Sequence, residues 1–182
     1  MSPQKKMTPG RTVFVCHETD SHIFITTFRS GSSSFKSLFK GKATPRHREE
    51  LTTLLDCAGE RVIVVFLREP VSRYYSALKL IKMVLRGDML DHMVNLLKSH
   101  SSPYMSVFAG RQIKYIRWER LSEYLPHVGF PSLSKRELPD YYTPPALTDE
   151  EDRKMKLEVA TYTALLKSNE EMSPDDFKRL AS

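Results

Sequence analysis

Two stretches of this chain carry residue types suited to holding an anion. In Phe24–Phe35 (FITTFRSGSSSF) a β-branched apolar run gives way to small residues, and Phe35, Leu38 and Phe39 then follow at helical spacing. A strand–loop–helix unit of this kind exposes the first amides of its helix, where the helix dipole adds partial positive charge. Small side chains around Gly31 let the backbone close on a phosphate. Arg29 adds a fixed cation, and Ser30, Ser32, Ser33 and Ser34 add hydroxyl donors. The same residues also suit a serine-rich turn that caps a helix. No Walker A pattern is present: Gly41-Lys42-Ala43 lacks both the upstream glycine and the Ser/Thr.

The second stretch is Val62–Leu78 (VIVVFLREPVSRYYSAL), another apolar run, ending in Arg68. The carboxyl edge of an α/β sheet is where such proteins bind ligands. Arg73 and Ser76 share a helix face, and Arg68 with Ser76 could meet one phosphate, since an arginine fork suits a dianion. A solvated helix start, with Arg68 paired to Glu69 or another acid, is the competing reading.

The elements that must position these residues can be read from hydropathy. Residues 1–10 read as a flexible arm. Thr12–Cys16 reads as a short edge strand, His22–Phe28 as a core strand and Arg29–Ser34 as a turn. Arg46–Cys57 has apolar positions at Leu51, Leu54 and Leu55, which predicts an amphipathic helix closed by Gly59. Arg61–Leu67 is apolar on both faces, as a central parallel strand is. Val71–Leu85 and Asp88–Lys98 read as helices, Gln112–Arg117 as a third core strand and Leu121–Leu125 as a short helix. Residues 126–147 read as a long irregular segment. Thr148–Ser168 is a helix capped by Thr148, with apolar cover from Met155, Leu157, Val159, Tyr162, Leu165 and Leu166, and Ser173 opens a last short helix. Alternating strands and helices in 182 residues predict one α/β domain over residues 1–182, a small central parallel sheet flanked by helices.

The composition narrows the partners. Lys and Arg number 28 against 22 Asp and Glu, a net charge of +6 that favours an anionic ligand. Acids are interleaved with the bases, which argues against a nucleic-acid stripe. No apolar run spans a bilayer, and the basic Met1–Lys6 segment has no apolar stretch behind it, so neither a membrane contact nor a secretory leader is expected. Two cysteines cannot build a disulfide framework, and the six histidines are scattered without metal-ligand spacing. The expected setting is cytoplasmic and the expected site is metal-free.

Taken together, the two anion-holding stretches resemble the sulfotransferase family that uses 3′-phosphoadenosine-5′-phosphosulfate (PAPS). Phe28–Ser33 (FRSGSS) is similar to that family's loop for the 5′-phosphosulfate, and Arg68–Ser76 (REPVSRYYS) is similar throughout to its 3′-phosphate element R-[DE]-P-x-x-R-x-x-S. Lys114–Leu121 (KYIRWERL) looks like the later strand with its aromatic–acid–x–Leu ending. Ser101–Gly110 and Lys135–Tyr142 are similar to the carbohydrate-type branch. The resemblance covers roughly residues 22–168 and suits a compact single-domain member of bacterial or viral type.

The resemblance implies a P-loop-like sulfotransferase fold. It also implies transfer of a sulfuryl group to a hydroxyl or amine of a carbohydrate or small-molecule acceptor, leaving 3′-phosphoadenosine 5′-phosphate (PAP). It assigns the nucleotide to Arg29, Ser30, Gly31, Ser32, Ser33, Ser34, Arg68, Arg73 and Ser76. Lys135 and Arg136 could close over it or meet an anionic acceptor, with a solvated basic turn as the simpler account. Arg29 would stabilise the leaving phosphate. The general base would be His47, since an imidazole accepts a proton near neutral pH, or Glu49. Glu50, His17 and Glu18 are further options. Trp118 could stack on adenine or pack in the core, and Glu119 could orient a loop. A P-loop nucleotide phosphotransferase and a non-catalytic basic nucleic-acid-binding domain are the alternatives from other classes.

Overall fold

The computed structural model describes residues 13–27, 39, 42–74, 105–124 and 147–181. Strands β1 (Val13–Glu18), β2 (His22–Thr27), β3 (Thr44–His47), β4 (Val62–Leu67), β5 (Lys114–Arg117) and β6 (Glu170–Glu171) form one sheet. Their order across it is β3-β1-β2-β4-β5-β6. Among the described residues the α-helices are α1 (Arg48–Asp56), α2 (Leu121–Tyr124), α3 (Asp149–Ser168) and α4 (Pro174–Ala181), with a further helical turn over 70–74. Short 3-10 turns cover Met105–Phe108 and Trp118–Arg120.

The architecture is α/β, as expected, but the sheet is mixed rather than parallel. β2, β4, β5 and β6 run parallel to one another, whereas β1 is antiparallel to both β2 and β3. The cause is the connection between β1 and β2. Parallel neighbours need a crossover of a dozen or more residues, and residues 19–21 can only make a tight turn. Thr19 closes it, its Oγ1 accepting the His22 amide at 3.0 Å while its own amide donates to the His22 carbonyl at 2.8 Å.

The strand expected at the edge is therefore interior, and the edge belongs to β3. Its residues Arg46 and His47 were expected to open a helix, which instead begins at Arg48. Pro45 explains the difference. It biases Thr44 towards extended backbone and, lacking an amide proton, sits well on an edge strand. Helix α1 then buries Leu51 and Leu55. Gly59, with φ +62°, turns the chain towards β4 in a conformation that only glycine adopts without cost.

β4 is the spine of the molecule. Ile63, Val65 and Leu67 pack with Phe14, Ile25, Leu51, Phe108 and Leu165 on one face of the sheet. Val64 and Phe66 pack with Phe24, Ile116, Tyr124 and Phe177 on the other. Cover on both faces explains why the run is continuous rather than alternating.

Helix α3 starts as expected, with Thr148 Oγ1 accepting the Glu151 amide at 3.2 Å. Its cover differs from expectation at one position. Leu157 is 56% exposed while Glu158, next to it, is 0% exposed. The buried stripe Met155–Glu158–Tyr162–Leu165 follows helical spacing, and the acid is admitted because its Oε1 accepts the Met105 amide at 3.1 Å. No helix among the described residues is long and apolar enough to cross a membrane. The expected helix over Asp88–Lys98, residues 1–10 and most of the expected irregular segment 126–147 lie outside the described residues.

Candidate functional site

Parallel strands put their carboxyl ends on one rim. β2, β4 and β5 end there at Thr27, Leu67 and Arg117. β3 ends there too: it is antiparallel to β1, which is antiparallel to β2, so His47 lies opposite Val13. The register of β2 on β4 runs from His22↔Val62 to Ile25↔Val65. The chain therefore leaves β2 and β4 from adjacent positions on this rim, about 5 Å apart.

Arg68 is the first residue past β4 and is only 8% exposed. Its guanidinium carbon lies 3.7 Å from the centroid of the Trp118 ring, at the end of β5. Its Nε donates to Ser72 Oγ at 3.3 Å. A buried guanidinium seated over an indole is held electrostatically by the ring quadrupole.

The turn that follows is built by Glu69. Its Oε2 accepts the Ser72 amide at 2.7 Å and its Oε1 accepts the Val71 amide at 3.1 Å. Pro70, at the first helical position, has no amide to satisfy. The Glu69 carbonyl accepts the Arg73 amide at 2.9 Å, which opens the helical turn over residues 70–74. Glu69 is thus an N-cap, and its carboxylate is committed to helix amides. Arg73 is 6% exposed. Glu119 Oε1 accepts the Glu69 amide at 3.3 Å, linking the turn after β4 to the turn after β5.

Of the residues singled out from the sequence, Arg68 and Arg73 are therefore buried at this rim. His47 is half-buried at the end of β3, three strand positions from β4, and its Nδ1 is enclosed with no hydrogen-bond partner among the described residues. Glu49 and Glu50 occupy the first turn of α1. His17 and Glu18 lie at the opposite rim. The His17 ring stacks on Phe39 at 4.2 Å, and Glu18 pairs with Arg61 at 2.9 Å and Arg46 at 3.4 Å. Arg29, Ser30, Gly31, Ser32, Ser33, Ser34, Ser76, Lys135 and Arg136 lie outside the described residues. Sequence reasoning missed Ser72 and the capping role of Glu69. An acid directly before a proline at a helix start was the available signal.

A cavity of about 640 Å³ opens at the opposite rim, between the starts of β4 and β5. Two of its cations are already committed, Arg61 to Glu18 and Arg111 to Asp56 at 2.6 Å. His22, also at that rim, is held below the usual histidine range by burial and by the nearby Lys114 cation. The cavity is remote from Arg68 and shares none of its chemistry. Comparison with known proteins matched no family model, no curated protein and no solved structure.

Proposed function

We propose that this chain is a PAPS-dependent sulfotransferase on a P-loop-like sulfotransferase fold, acting on a hydroxyl or amine of a carbohydrate or small molecule. One observation carries the reading. Arg68, buried and seated over the Trp118 ring, stands at the carboxyl end of β4 beside the end of β2, the strand that leads into the small-residue loop. That is the juxtaposition an adenosine bearing phosphates at both its 3′ and 5′ ends requires. A desolvated arginine suits the 3′-phosphate as a positioning group.

In this reading Arg29 and the hydroxyls of Ser30, Ser32, Ser33 and Ser34 bind the 5′-phosphosulfate. Arg68, Arg73 and Ser76 hold the 3′-phosphate. The acceptor oxygen or nitrogen bonds to sulfur as the sulfur–oxygen bond to the 5′-phosphate breaks. The acceptor's proton passes to His47, and the charge on the departing phosphate is met by Arg29.

Thermal shift with PAP, ADP and ATP tests it. Selective stabilisation by PAP is expected, by about 2.7 kcal/mol at a hundredfold excess over its dissociation constant. Equal shifts with all three nucleotides, or none with PAP, overturn it.

A further inference from the structure

We infer that Trp118 is a positioning residue for the phosphate site: its indole holds the Arg68 guanidinium in place, and the ring face turned to Arg68 serves that cation instead of a nucleobase. The inference rests on the proposed role of Arg68 as a phosphate anchor. It replaces the adenine-stacking role considered for Trp118 from sequence.

The observations are independent of one another. The guanidinium carbon is at van der Waals distance, 3.7 Å, from the ring centroid, closer than the roughly 6 Å within which such pairs are counted. Trp118 is half-buried and packs against the cluster that includes Phe66 and Ile116, so the indole is not free to turn. Ser72 Oγ then fixes the remaining rotation of Arg68 through Nε. Ser72 is itself held by the Glu69 cap, and Glu69 is tied to the residue after Trp118. Platform and cation are thus cross-linked at two points. A long side chain pre-set in this way loses less freedom when a phosphate binds than a solvated one does.

The chain has one tryptophan, so its emission reports on this pair alone. In ligand-free protein, Arg68→Ala is expected to shift that emission, and unchanged emission overturns the stacked pair. PAP affinity is then measured by calorimetry on wild type, Trp118→Leu, Trp118→Phe, Arg68→Ala and the Arg68→Ala/Trp118→Leu double variant, each with a cooperative melt.

Arg68→Ala should weaken binding on the order of ten- to a hundredfold. Trp118→Leu should weaken it about three- to tenfold, with Trp118→Phe, which keeps a ring, in between. In the Arg68→Ala background the Trp118→Leu change should add nothing. A similar loss in that background overturns the inference, because the indole would then act on the nucleotide or the fold directly. So does wild-type affinity in Trp118→Leu. Absence of PAP binding by wild type overturns the functional reading and the phosphate role together, while the emission experiment still decides the stacked pair.

Discussion

The backbone amide of Glu69 donates to Glu119 Oε1 at 3.3 Å, although the two residues leave the sheet from different strands. The side chain of Glu69 is turned the other way, onto the amides of Val71 and Ser72. One acid therefore caps the turn that carries Arg68, and a second anchors that acid's own backbone. Both carboxylates accept backbone amides, which ties the turn after β4 to the turn after β5.

Glu119→Ala removes the acceptor and leaves the Glu69 amide to water. The bond is exposed, so the expected loss of stability is modest, about 0.5–1.5 kcal/mol. Glu119→Gln keeps an oxygen in place and should lose less. Urea unfolding of both variants checks the order. Alanine and glutamine variants of equal stability would show that the link between the two turns contributes nothing.

His47→Ala tests the proposed base. Its Nδ1 is enclosed at the carboxyl rim, about 14 Å from β4 at ordinary strand spacing, so it stands at the far end of the rim from Arg68. Turnover should fall on the order of a hundredfold or more while PAP affinity is unchanged. Steady-state rates together with calorimetry separate the two effects. Full turnover in the variant would reassign the base, and Glu49 in the first turn of α1 is the next residue to replace.

Much of the fold was legible because its strongest signals are local. The continuous apolar run of β4, the Thr148 cap and most of the stripe of α3 depend on neighbours in sequence, and Met155, Tyr162 and Leu165 are buried where periodicity predicts. What was hidden depends on partners remote in the chain. β3 carries no alternation, since Thr44, Pro45, Arg46 and His47 become a strand only by pairing with β1. β6 is two glutamates recruited by Lys114 and Tyr115. Burial of Glu158 could not be foreseen without the Met105 amide that it accepts. At the site, Arg68 was legible as a strand-end arginine before a proline. The indole beneath it was not, because 50 residues separate Arg68 from Trp118 and only the pairing of β4 with β5 brings them together.

Cys16 gives the chain a pH dependence with a definite sign. The thiol is 2% exposed on the face of β1 that packs under α1, and burial pushes it from 9.0 up to about 12, with the Arg46 cation opposing and Glu18 adding. Below pH 9 the thiol is neutral in both folded and unfolded chains and its full contribution is present. Above that, the unfolded chain gives up the proton while the folded chain keeps it until about pH 12. The unfolded state then binds fewer protons, so stability falls with rising pH, by at most about 1.4 kcal/mol per unit from this group. Tyrosines and lysines titrate over the same window, and Cys16→Ala removes the thiol while leaving them. Urea unfolding at pH 8 and pH 10.5 should show wild type losing about 1–2 kcal/mol more than the variant. Parallel losses in the two proteins would mean that the thiol ionises as readily folded as unfolded. Native-state thiol titration offers a second check: exposed Cys57 should react, and Cys16 only on unfolding.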